Sequence, residues 1–383
     1  MRNHLLVALL IIGMIGVPSL PRAHGASGTY FDNVVFVAME NQDYADVMGQ
    51  GTGNSNAPFI ASLLPYGSTI PNYHAYGANG RNTCATTHSA GCYEALIAGV
   101  SDLRANGYSC CIPDPTLLGN RFPTAGLTWE AYCESGCPRV NDHFPFTGFT
   151  DTSSCSCIFA SSSVSISDFV AAANSVTPPN FLWFTPTDSH NMHSNSIQTG
   201  DSYLRNFLVG SSGSIGSPAS GSLLASNLFH SGHRTLLVLW WDEYDPAPNL
   251  FYEPGVVKQA YVSSSDVYDE FSVLHIMENN WALPTLTAND AAAAPMTDIF
   301  GSSNPPGGAG EGSGGGCLLC GSTSTWLLVV GGLLGLIGSL VLLTIRARAK
   351  LARTRRRMNR PRSLVNSLVG SYWNERGCVN SVL

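Results

Sequence analysis

The chain has 383 residues, room for one large domain or two modest ones. Only 12% of residues are charged, while Gly, Pro and Cys number 39, 22 and 11, which excludes a coiled coil, a collagen-like repeat and a highly charged disordered chain. The net charge of −7 conceals segregation: residues 26–345 carry 7 Lys/Arg against 25 acids, and residues 346–383 carry 10 against one.

In chain order, Arg2, the apolar run Leu5 to Val17 and the small residues around Gly25 predict a secretory signal over residues 1–25. NVVFVAM (33–39) is short, apolar and continuous rather than alternating, as expected of a strand covered on both faces; it ends in Glu40-Asn41. Helical spacing follows over 57–64. CATTHSAGC (84–92) sets a Ser/Thr/His cluster between two cysteines, just before the helical-looking YEALIAGV. A hydroxyl at such a helix start is placed as a nucleophile, since the helix N-terminus stabilises an anion there; an ordinary N-cap is the competing reading.

Eight of the eleven cysteines fall between Cys84 and Cys157, which predicts disulfides in an oxidising compartment, and the stretch of about 100–160 reads as a stapled insertion with few periodic runs. A helix over 166–176 precedes the strand FLWF (181–184), which opens into TPTDSHNMHSNSIQTGD (185–201). A helix over 202–209, the strand TLLVLWW (235–241) ending in Asp242-Glu243, and a helix over 267–283 complete the body. Strands alternating with helices predict an α/β domain over 26–300, with a central mostly parallel sheet and helices on both faces.

Residues 301–324 are Gly/Ser/Pro-rich and read as a stalk. Residues 325–345 hold a charge-free apolar run long enough to cross a bilayer, followed at once by Arg346, Arg348 and Lys350. That order predicts a single transmembrane helix with the acidic body outside the cell and residues 346–383 as a basic cytoplasmic tail. The tail's charge has topological and lipid-headgroup explanations, so no nucleic-acid partner is expected.

In open parallel sheets, ligands bind beyond the carboxyl ends of the strands, so Glu40-Asn41, the 185–201 segment and Asp242-Glu243 should meet at one edge. Carboxylates, an amide and imidazoles gathered there call for a divalent cation, with Zn, Mn, Mg, Ca and Fe all compatible.

VVFVAMENQDY, PNYHAYGANG, THSAGCYEALIAGV, HNMHSNSIQTGDSYL, LWWDEYD and EFSVLHIMENNWALP, in this order over about residues 30–300, resemble the phosphoesterase family of acid phosphatases and phospholipases C, within the alkaline-phosphatase-like superfamily. The resemblance implies an alkaline-phosphatase-like fold, metal binding by Glu40, Asn41, Asp242 and Glu243, and a nucleophile four residues before Tyr93, which is Ser89. It also puts His193 and Asp201 among groups for phosphate or a further metal, with His190 and Asn191 nearby. The family's segment THPSxPNY is only partly kept, since its prolines and Asn are absent and the spacing is one residue shorter, which leaves Thr87 as the substitute nucleophile and His88 as a phosphate contact. The implied activity is metal-dependent hydrolysis of phosphate esters or phospholipid headgroups through a phosphoseryl intermediate. A metal-independent serine hydrolase and a non-catalytic, membrane-anchored adhesion protein are the alternatives.

Overall fold

The computed structural model describes residues 27–75, 89–101, 117–137, 139–149, 155–264 and 267–301. The expected signal, transmembrane helix and tail, and the stalk beyond Gly301, lie outside these residues. Among the described residues, no helix is long and apolar enough to cross a membrane.

Among the described residues, eight strands form one sheet: β1 (Asn33–Met39), β2 (Gly67–Thr69), β3 (Trp129–Cys133), β4 (Ile158–Phe159), β5 (Phe181–Thr185), β6 (Thr235–Trp241), β7 (Asn249–Tyr252) and β8 (Tyr261–Val262). Their order is β4-β3-β5-β1-β6-β7-β2-β8. From β4 to β6 all neighbours are parallel, and only β7 runs against its neighbours. β1 lies between β5 and β6, and every one of its residues is buried.

The continuous apolar runs follow from two covered faces. Val34, Phe36 and Ala38 join one core with Tyr93, Leu96 and Ile97 of the Ser89–Ala98 helix and with Leu274 and Met277 of the Glu270–Asn280 helix. Val35, Val37 and Met39 point the other way, onto Ile60, Phe169, Leu204 and Phe207 from the Pro58–Leu63, Ile166–Ala173 and Ile197–Val209 helices. The helices thus cover both faces, as expected of a mostly parallel α/β sheet.

The Cys-rich stretch is more than an insertion, because its residues supply β3 and β4 and so build one side of the sheet. WEAYC gives little sign of this: it is half-buried at Trp129 and Glu130 and has only the two-residue β4 beyond it, so no long apolar run marks it. Disulfides join Cys133 to Cys137 and Cys155 to Cys157, and Cys92 is also disulfide-bonded. The helix expected over 202–209 begins earlier, at Ile197, where the Ser196 hydroxyl accepts the Thr199 N–H and caps it.

The Ser89–Ala98 helix ends at Gly99 (φ 71°), whose carbonyl accepts the Thr287 hydroxyl and the Asn289 amide, each at 2.9 Å. Beside that turn, the fully buried carboxyls of Glu278 and Asp290 both accept the Leu286 N–H, at 2.9 and 2.8 Å. At the amino-terminal end of the parallel strands, Tyr30 stacks on Phe300 with ring centroids 4.4 Å apart.

Candidate active site at the carboxyl edge of the sheet

Register brings the acids together. Met39 of β1 pairs with Trp241 of β6, so Glu40 and Asp242, each one residue further on, emerge side by side. Alternation puts both on the same face as Ala38 and Trp240, the face that carries the Ser89–Ala98 helix. Asn41 then adopts φ 50°, a left-handed conformation that Asn tolerates better than most residues, and its N–H donates to Asp242 Oδ1 at 3.3 Å.

Ser89 opens the facing helix, and its Oγ donates to Glu243 Oε1 at 2.7 Å and lies 3.4 Å from Glu40 Oε2. One turn later Tyr93 donates its hydroxyl to Glu40 Oε1 at 2.6 Å. Glu40 and Asp242 are fully buried, and Glu243 and Ser89 nearly so. Burial, followed by the Asp242 charge, pushes the Glu40 carboxyl well above the usual carboxylate range. Burial and then Glu243 push Asp242 up to about 7. Crowded, dry carboxylates of this kind keep a proton or take a cation.

Imidazoles and a guanidinium stand across a cavity of about 300 Å³ that Asn41, Ser89, Glu243, Arg139, His143 and His193 line. His143, on the short Val140–His143 helix, stacks on Tyr93 with centroids 6.0 Å apart and planes 10° apart. Its Nδ1 is 3.4 Å from both Glu40 Oε1 and Asp188 Oδ1, and burial outweighs the Asp188 charge, drawing it down to about 4. The Thr185 hydroxyl at the end of β5 donates to the His143 carbonyl at 2.9 Å, tying this helix to the sheet edge. Asp188 accepts Arg139 Nε at 2.6 Å. Burial works to raise Asp188, but the Arg139 bond and the two histidines hold its carboxyl below the ordinary value.

The expected residues Glu40, Asn41, Ser89, Asp242, Glu243 and His193 thus come together. Asp201 does not. Its carboxylate accepts the Phe59 and Ile60 N–H groups at 3.0 and 2.8 Å and caps the Pro58–Leu63 helix from the Ile197–Val209 helix, so the metal or phosphate role expected of it is corrected to a structural one. His190 also points elsewhere, bonded to Glu134 at 2.8 Å and stacked on Tyr203. Asn191 supports the site from behind: its carbonyl accepts the Glu40 N–H and its side chain accepts the His193 N–H. His88 and Thr87 lie outside the described residues. No pattern along the chain marks Arg139, His143 or Asp188, whereas Tyr93, four residues after Ser89 on one helix face, is readable.

Among the described residues, no three His, Cys, Asp or Glu side chains are grouped as a ready-made ion cage. The donor chemistry nonetheless suits a divalent cation: Glu40, Asp242 and Glu243 carboxylates converge on Ser89, and the buried Asn41 Oδ1 has no hydrogen-bond partner among the described residues. Among the described residues, Ser89 Oγ meets carboxylates and no imidazole, so they hold no Ser-His pair.

No family model matches the chain, and no curated protein matches it. The chain is similar to several solved structures at low identity. A protein in the alkaline phosphatase superfamily from Vibrio parahaemolyticus shares 12% identity over 76% of this chain and 78% of its own, with a TM-score of 0.45. A putative sulfatase from Bacteroides thetaiotaomicron shares 11% over 69% and 74%, at 0.48. The lipoteichoic acid synthase LtaP from Listeria monocytogenes shares 11% over 75% and 81%, at 0.39.

Proposed function

We propose that this chain is a metal-assisted phosphoric ester hydrolase with Ser89 as its nucleophile. The observation that carries the reading is the Ser89 hydroxyl, bonded at 2.7 Å to Glu243 and set between a carboxylate-rich wall and an imidazole-bearing one. Glu40, Asn41, Asp242 and Glu243 would hold a divalent cation, which supplies a lowered pKa for the Ser89 hydroxyl and polarisation of a phosphoryl oxygen. Glu243 Oε1 takes the hydroxyl proton as Ser89 Oγ attacks phosphorus in line. The bond to the leaving alcohol's oxygen breaks, the alcohol departs with a proton from solvent, and water then cleaves the phosphoseryl ester. Tyr93 keeps Glu40 oriented by its 2.6 Å hydrogen bond, and His193 faces the cavity as a donor to phosphoryl oxygens.

We read the same chain as exported and held to the cell membrane by residues 325–345, with the hydrolase outside. Protease protection of the 346–383 tail in intact cells tests that topology. The activity is tested by assaying the full-length chain on p-nitrophenyl phosphate, bis(p-nitrophenyl) phosphate and p-nitrophenyl sulfate, with and without EDTA, beside Ser89→Ala. Turnover of a phosphate ester lost on chelation and in Ser89→Ala is expected. Turnover of the sulfate alone, or none with any ester and added metal, refutes the reading.

A further inference from the structure

The wall opposite the carboxylates is organised around one residue. Asp188 follows β5, and its Oδ2 accepts Arg139 Nε at 2.6 Å. The same carboxylate has Oδ1 3.4 Å from His143 Nδ1 and Oδ2 3.9 Å from His193 Nδ1. Arg139 and His143 stand four residues apart, and both line the cavity with His193. The Asp188 loop is itself fixed: its carbonyl accepts the Ser194 N–H, and Glu134 at the end of β3 accepts the Thr187 N–H at 2.9 Å. One carboxylate thus gathers three nitrogen-bearing side chains from two separate segments.

Resting on the phosphoester reading, we propose that Asp188 is a positioning residue that assembles Arg139, His143 and His193 into one anion-binding wall, and that Arg139 makes this wall selective for phosphomonoesters over diesters. A guanidinium has five N–H donors, and Asp188 engages only the Nε of this one; the Nη groups make no hydrogen bond to a described residue. A monoester offers three terminal oxygens, two of which the forked Arg139 Nη groups can engage while the third faces His193. In a diester one of those oxygens is bonded to a second carbon substituent; that ester oxygen accepts weakly, and the substituent has to fit a cavity of about 300 Å³ beside Arg139. Asp142 and Glu243 line the same cavity as Arg139, so selection rests on donor number and room rather than on net charge.

The test uses the full-length chain, with kcat and KM measured on p-nitrophenyl phosphate and bis(p-nitrophenyl) phosphate, and inorganic phosphate binding measured by calorimetry. A hydrogen bond to a charged group at this partly exposed position corresponds to roughly tenfold in affinity. Arg139→Ala is expected to lower the monoester-to-diester ratio of kcat/KM about tenfold and to weaken phosphate by a similar factor. Asp188→Asn, which removes no donor from the wall, should do the same chiefly through KM, and Asp188→Glu should recover part of the loss. A ratio within twofold of wild type in Arg139→Ala, or phosphate affinity unmoved by both changes, overturns the inference. If Asp188→Asn fails to fold, Arg139→Ala decides alone. If wild type turns over neither ester, the phosphoester reading falls and the phosphate titration still decides whether the wall binds anions.

Discussion

Glu278 offers a quantitative check on the electrostatics behind the Ser89 helix. Its carboxyl is fully buried, accepts the Leu286 N–H, and is pushed up to about 8, by burial first and then by Asp290 beside it, with Arg121 opposing weakly. A carboxyl raised in the folded state binds its proton more tightly there than in the unfolded chain. Its contribution to stability is therefore complete below the unfolded value of 4.5 and is lost as pH climbs to about 8. At about 1.4 kcal/mol per pH unit, the full loss is on the order of 4 to 5 kcal/mol. Glu278→Gln keeps the acceptor for Leu286 and removes the titration. Urea unfolding from pH 5 to 9 should give a variant close to wild type at pH 5 and progressively more stable above it, by several kcal/mol at pH 9. A difference between the two proteins that does not change with pH refutes the assigned burial of the acid. The Gly99 turn that these carboxyls adjoin ends the helix that begins at Ser89, so the wild-type site should loosen at alkaline pH ahead of the variant's.

Three further outcomes are expected. Tyr93→Phe removes the 2.6 Å hydrogen bond to Glu40 without changing the stack on His143, and should lower kcat roughly tenfold with little change in KM in steady-state assays. Asp201→Ala should cost about 1 to 2 kcal/mol in chemical denaturation by uncapping the Pro58–Leu63 helix, while kcat/KM stays within threefold; loss of activity in a folded protein would return Asp201 to the site. Adding a divalent cation to chelated protein should raise Tm, because it neutralises Glu40, Asp242 and Glu243 together; a Tm that ignores the ion argues against these ligands.

The sheet was legible where chemistry forces a pattern on the chain. β1 and β6 match their expected bounds because both faces are covered and every residue after the first polar one is apolar. β2 and β7 are too short to show a period, and WEAYC of β3 mixes a charge into a strand near the sheet's edge. Within the site, Glu40 and Asp242 could be read from their position after such runs. His143 and Asp188 could not, since what brings them in is the packing of the cysteine-bridged segment against β5, a contact between residues far apart in sequence. Asp201 shows the converse: a carboxylate in a suggestive motif can serve backbone amides instead of a ligand.

The Tyr30–Phe300 stack carries a consequence for presentation. It brings the two ends of the folded body together at the pole opposite the reactive groups. The first and last described residues of the body therefore leave from the face away from Ser89 and the clustered acids, and a tag joined beyond either leaves the cavity clear.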